Sequence, residues 1–428
     1  MSIRYQRHQR LGLDTIEDVD EYRLGGYHLV HLGDVYHDRY KVLHKLGAGG
    51  FATTWLARDH REERYVALKI LKAEEAASER EMRVLEYLST LKSGCVGGEH
   101  IRFPLNHFTI KGPNGDHNCL VSEVAGPSLS SIYNIYGAGF TAGARRLRGD
   151  IAKKAIRQLA EAVGFLHSNR FCHGDLTLPN VLLKFKGTDG WTEEDVYERL
   201  GKPSTTALIP VTQSESNNSG PDYVVEPAGI PGANDLAEDI VLVDFGEAFS
   251  FDHPPKAEDI GIPLMYRAPE TIFDGRYDSR SEIWALACVM YEIRAGDPLF
   301  TSLMGTKDEI IMQWVQMKGR MPDPWWGRWE RRARCFEEDG RPRKVGPNGR
   351  VLAVETSLEE KIGWIGTEDE GEALLAAPGP ELLEPYGAVV PDGQAEIMRD
   401  LLDGMLKWRP EERVTIEQVL KHPWVAGP

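Results

Sequence analysis

The chain has 428 residues, 41% hydrophobic and 27% charged, which argues against a wholly disordered, collagen-like or coiled-coil protein. Acids outnumber bases 66 to 50, and the formal charge of −16 disfavours binding nucleic acid or an anionic membrane through bulk charge and favours basic partners. Five scattered cysteines without a CxxC pair suggest neither a disulfide framework nor a zinc site and fit a reducing compartment, cytoplasmic or nuclear. No run approaches the roughly 18 apolar residues of a membrane span.

Residues 1–39 form a polar and aromatic N-terminal extension, whose opening MSIRYQRHQRLG lacks the apolar stretch of a secretory signal. From Arg39, the runs KVLHKL, TTWLAR and YVALKIL alternate apolar and polar residues and predict a small antiparallel sheet. Between the first two lies Leu46-Gly47-Ala48-Gly49-Gly50-Phe51-Ala52, whose glycines let backbone amides approach phosphate oxygens; a plain hairpin turn is the alternative. Val66-Ala67-Leu68-Lys69 places a lysine in a strand otherwise suited to burial. Its ammonium needs a partner: Glu81 on the following amphipathic helix, or a nucleotide phosphate, unless Lys69 merely snorkels at a strand edge. The strand CLVSEV closes this region, 40–125.

Beyond Gly126 the chain turns helical, and 126–425 forms a second, larger region. His173-Gly174-Asp175-Leu176-Thr177-Leu178-Pro179-Asn180 offers an Asp to accept a hydroxyl proton and, five residues on, an Asn to ligate Mg²⁺. A Gly-, Pro-, Ser- and Asn-rich insert, 186–239, reads as disordered. The strand Ile240–Val243 then leads into Asp244-Phe245-Gly246, a second oxygen ligand for Mg²⁺. Residues 280–294 are apolar nearly all round, as a buried helix is. The irregular stretch 355–384 carries nine acids against the single Lys361 and reads as a solvated face. The order VALK, HGDxxxxN, DFG, APE predicts a nucleotide-binding kinase.

The same order, with EDVDEYRLGGYHLVHLGDVYHDRYKVLHKLGAGGFATTWLARD, YRAPE, EIWALACVMYEIRAGDPLF and the ending RPEERVTIEQVLKHPW, resembles the SR-protein kinases, especially their fungal relatives in the CMGC group, over Glu17–Trp424. The resemblance implies an α+β, two-lobed protein-kinase fold: an N-lobe antiparallel sheet with one helix, a mainly α-helical C-lobe, and ATP in the cleft. It implies that Gly47, Gly49 and Ala52 cover the phosphates, that Leu46 and Ala48 also bind the nucleotide, that Lys69 holds the phosphates and pairs with Glu81, and that Asp175 is the base. Asn180 and Asp244 would hold Mg²⁺. The hinge would be Glu123-Val124-Ala125, preceded by Ser122, with Thr54, Ala67 and Leu182 against the adenine, and Glu270 would brace Arg413. The substrate implied is serine in Arg/Ser-rich proteins such as splicing factors, which would link the enzyme to mRNA splicing. The enzyme would act as a monomer, with no direct nucleic-acid or membrane partner. Asp308, Glu309 and the 355–384 stretch are candidates to steer a basic peptide.

Several positions depart from the family pattern. Gly174 stands where many kinases have an arginine that receives an activation-loop phosphate, and Glu247–Arg267 holds only Ser250 and Tyr266 as hydroxyl residues, so activity independent of loop phosphorylation is expected. Thr177 and Pro263 replace a lysine and a threonine near the transferring phosphate, Glu282 replaces an aspartate, and Ser122 predicts an enlarged rear adenine pocket. These departures leave two competing readings: a pseudokinase scaffold that binds ATP and basic partners, and a small-molecule phosphotransferase sharing HGDLxxxN.

Overall fold

The alternating runs do become strands. In the computed structural model, which describes residues 5–6, 16–74, 77–92, 94–136, 146–210, 220–343, 353–367, 382–385 and 387–427, they are β1 (Val35–Tyr36), β2 (Tyr40–Ala48), β3 (Ala52–Asp59), β4 (Arg64–Leu71), β5 (Pro104–Gly112) and β6 (Gly115–Glu123). They form one antiparallel sheet in the order β1-β2-β3-β4-β6-β5. On the central β4, Val66, Leu68 and Ile70 pack with Val42, Trp55, Ala57, Ile110 and Val121. The two-residue period of a strand therefore turns Ala67, Lys69 and Leu71 to the other face. Helix α1 (Ala77–Leu91) buries Leu85 and Leu88, the spacing expected of its apolar stripe.

The chain divides into two compact units, the first made of residues 1–90, 102–127 and 183–237 and the second of 91–101, 128–182 and 238–428. One sequence expectation, that of a disordered insert, needs correction in the first unit. The N-terminal extension is folded from residue 16, with Val19, Tyr22, Tyr27 and Val30 buried. The insert 186–239, expected to be disordered, is ordered over 186–210 and 220–239; residues 211–219 lie outside the described residues. Its helix Glu193–Leu200 opens with a capping box, Thr192 and Asp195 each bonding the other's backbone amide. Val196 and Leu200 pack with Leu43, Leu56 and Tyr65, and Val225 enters the main sheet cluster. The few apolar residues of the insert cannot make a core of their own, but they close one that the sheet leaves open.

The second unit is built on α2 (Gly149–Ser168) and α3 (Ser279–Ala295), the latter buried on nearly every face as its sequence predicts. Asp278 caps α3, accepting from the amides of Arg280 and Ser281, and Gly296 ends it at φ 81°. Glu270 and Arg413, expected as a structural brace, form a bidentate pair at 2.7 Å with both side chains fully buried, and Ser281 donates to the same carboxylate. All five cysteines are free thiols. Within the acidic stretch, 358–363 is helical and 368–381 lies outside the described residues. Among the described residues no helix is long and apolar enough to cross a membrane.

Candidate active site

The glycine run turns tightly between β2 and β3. Gly49 N–H donates to Ala52 C=O at 2.9 Å, and the register sets Gly47 opposite Thr54 and Ala48 opposite Thr53. A Cβ at Gly47, Gly49 or Gly50 would meet nothing within 4 Å, so protein packing does not explain these glycines. The space beside them is open for a polyanion to approach. Of the partners weighed for Lys69, Glu81 is the one found: Nζ donates to its two oxygens at 3.0 and 2.9 Å, and Glu81 is buried. Lys69 lies in register with Thr54 and Leu120, and Ala67 with Leu56 and Ser122, on one face. Leu46, Val124 and Ala125 are half-buried, and Glu123 is exposed. Ser122 is half-buried, its Oγ donating weakly to the Glu123 carbonyl at 3.4 Å.

In the second unit the catalytic-loop motif is held from below by one carboxylate. Glu282 on α3 accepts from the amides of His173 and Gly174 through Oε1, at 2.7 and 3.0 Å, while its Oε2 pairs with His167 Nε2 at 2.8 Å. The longer side chain thus spans the distance that its replacement of aspartate put in question. Asn180 Nδ2 donates to the Asp175 carbonyl and to Asp175 Oδ2, at 2.9 and 3.0 Å, which turns its amide oxygen away from Asp175. Asp175 Oδ1 is buried and has no hydrogen-bond partner among the described residues. Burial, with a lesser push from Asp244, raises the carboxyl of Asp175 above its ordinary value, as suits a proton acceptor. Asp244 is exposed and sits at φ 67°, a left-handed conformation costly for a non-glycine residue. Leu182, half-buried, bridges to Ser128. The Asn180 amide oxygen and the Asp244 carboxylate are hard oxygen donors of the kind a small divalent cation takes.

A protein kinase domain model matches residues 40–191 and 233–425. The chain belongs to the protein kinase family. The stretch between the two matched segments falls inside the insert. The kinase is 26% identical to the serine/threonine-protein kinase SRPK of Physarum polycephalum, covering 96% of this chain and 91% of the relative. It is 27% identical to a serine/threonine protein kinase of Aspergillus fumigatus over 96% and 92% of the two chains. Against protein kinase dsk1 of Schizosaccharomyces pombe the identity is also 27%, over 72% and 71%. It is a protein serine/threonine kinase resembling the SR-protein kinases, in a family that uses ATP and a divalent metal ion.

The kinase has a local reason for Gly174. The residue lies at φ 81°, and a Cβ there would sit 2.1 Å from the carbonyl oxygen of Glu247. Any side chain would displace the segment after Asp244. Thr177 is buried, with its carbonyl accepting from the Asn180 amide, and Pro263 is exposed at the start of a short turn. Asp308 and Glu309 are occupied. Glu309 closes the capping box with Thr306 and accepts from Ser302 Oγ and Met304 N–H, and Asp308 accepts from Trp329 Nε1 at 2.8 Å and pairs with Arg331. Both carboxylates therefore have local partners, and the Asp308 side chain stays 39% exposed. Two contributors escaped the sequence reading: Tyr27, whose hydroxyl donates to the Gly49 carbonyl at 2.7 Å, and Arg267, which donates to the carbonyls of Ile260 and Ile262. Neither carries a local signal, because each acts on backbone carbonyls, Tyr27 on one 22 residues away and Arg267 on two within its own segment.

Proposed function

We propose that this kinase transfers the γ-phosphate of Mg·ATP to serine in Arg/Ser-rich protein segments, and does so without phosphorylation of its activation segment. Leu46, Gly47, Ala48, Gly49 and Ala52 would lie along the phosphates and Lys69, fixed by Glu81, would hold them. Thr54, Ala67, Ser122, Glu123, Ala125 and Leu182 would line the base. Asp175 accepts the serine hydroxyl proton, and Asn180 and Asp244 hold the metal, whose charge offsets that of the phosphates. The observation that carries the reading is the formed Lys69–Glu81 pair together with a catalytic loop already fixed by Glu282. Independence from loop phosphorylation rests on bonds the segment makes by itself. Arg267 ties Ile260 and Ile262, both side chains of which are buried, Tyr266 O–H donates to Glu292 at 2.7 Å, and Phe249 pairs with Cys172. An arginine receptor at position 174 would have no room. The choice of Arg/Ser-rich substrate rests on resemblance and on the net charge of −16.

The test is transfer of labelled γ-phosphate from Mg·ATP to an Arg-Ser repeat peptide and to a non-basic serine peptide, using unphosphorylated enzyme with Asp175→Ala and Lys69→Met as blanks. Transfer to the Arg-Ser peptide that both blanks lose supports the reading. ATP binding without transfer to either peptide would instead make the chain a scaffold and point to Thr177 and Pro263.

A further inference from the structure

The N-terminal extension reaches the tip of the glycine turn. Gly49 is held at both ends, its N–H on the Ala52 carbonyl at 2.9 Å and its C=O on the Tyr27 hydroxyl at 2.7 Å, while the Phe51 carbonyl accepts from the Lys72 amide at 2.9 Å. A peptide unit is planar and trans, so its C=O and the following N–H point in opposite directions. Anchoring the Gly49 carbonyl on Tyr27 therefore aims Gly50 N–H away from the extension. Without that anchor two adjacent glycines leave this peptide free to flip, since neither has a Cβ to restrict it.

Tyr27 is itself rigidly placed. It is 3% exposed, its carbonyl accepts from Asn114 Nδ2 at 2.8 Å, its ring packs on Tyr22 at 5.5 Å, and Lys72 Nζ lies 4.5 Å above the ring. Tyr22 O–H donates to Glu17, which forms a buried ion pair with Lys45 on β2, and Lys72 pairs with Glu21 at 2.8 Å. Flanking residues of the extension are tied down as well: Gly26 and Gly25 carbonyls accept from the amides of Ala73 and Glu74. Burial and the neighbouring Glu17 push the phenol up to about 12, so it stays a donor at neutral pH. The glycine turn is thus clamped from the extension, from β2 and from the end of β4.

We infer that Tyr27 is a positioning residue for nucleotide phosphate: its hydroxyl locks the Gly49–Gly50 peptide so that Gly50 N–H is presented to a phosphate oxygen. This rests on the nucleotide reading of the glycine turn given above. It adds a role for the N-terminal extension, which lies outside the segment matched to the kinase domain. Such a residue affects phosphate binding and leaves base binding alone.

The experiment is calorimetric titration of the full chain and of Tyr27→Phe with the non-hydrolysable β,γ-imido analogue of ATP with Mg²⁺, and separately with adenosine. Phenylalanine keeps the ring contacts with Tyr22 and Lys72 and removes only the donor. The expected result is about fivefold weaker binding of the imido analogue, the factor a single hydrogen bond's net contribution represents. Adenosine affinity should stay unchanged, and the unfolding temperature should fall by no more than about the few degrees that one lost hydrogen bond represents. KM for ATP should rise with the KM for peptide unmoved. Unchanged affinity for the analogue, or an equal loss for analogue and adenosine, would overturn the proposal. A wild-type chain that binds neither ligand would refute the nucleotide reading itself, and the proposal with it.

Discussion

Glu292 shows how far one buried side chain departs from its ordinary chemistry. Burial raises its carboxyl from 4.5 to about 7, opposed by the hydrogen bond from Tyr266. A carboxyl whose folded value lies above its unfolded one binds its proton more tightly when folded, so it favours folding most below about 4.5 and loses that advantage as pH rises to about 7. In Glu292→Gln, which can still accept from Tyr266, that dependence should vanish. Urea titrations should show the stability of the variant relative to wild type rising by about 2–3 kcal/mol between pH 4.5 and 7. Gly174 makes a second case. Gly174→Ala adds a Cβ against the Glu247 carbonyl at a positive φ, and should cost about 2 kcal/mol or more in thermal unfolding along with most of the turnover. At this scale the sequence was legible where chemistry fixes residue type and spacing: Lys69 with Glu81, Asp175 with Asn180, Glu270 with Arg413. It was silent on the local partners of Asp308 and Glu309, an indole and a helix cap, because acidic character alone carries no sign of them.

The strands and the buried α3 could be read from periodicity because each is stabilised by a face that its own residues define. The insert helix could not. The insert around it has the composition of a loop, and its buried Val196 and Leu200 cluster with Leu43, Leu56 and Tyr65, which lie far upstream. That dependence is testable. Leu200→Ala should destabilise the protein by about 2–5 kcal/mol, as a fully buried leucine does, measured by chemical denaturation. A dangling insert would show a change within about 0.5 kcal/mol. The N-terminal extension follows the same logic, since Val30 packs in the sheet cluster and Tyr27 bonds Gly49 and Asn114, all supplied by strands and turns that come later in the chain.

For the molecule as a whole, a charge of −16 means that long-range attraction, rather than any single carboxylate, should gather a polybasic substrate. The KM for an Arg-Ser peptide should therefore rise several-fold between about 0.05 and 0.3 M salt with kcat nearly constant, while a non-basic peptide shows no such trend. Steady-state kinetics at the two ionic strengths decides it.

The first unit draws on three separated stretches of chain, the last ending at Ala237, and the whole of 128–182 is made before that last stretch appears. On the ribosome, at roughly 5–20 residues per second, the sheet therefore waits on the order of ten seconds with Leu43, Leu56 and Tyr65 uncovered. Nascent chains stalled near residue 130 should be bound by chaperones and cut readily by protease, and chains extended past residue 237 should become resistant. The birth order of the polypeptide, as much as its final packing, sets when this enzyme first has a stable N-terminal unit.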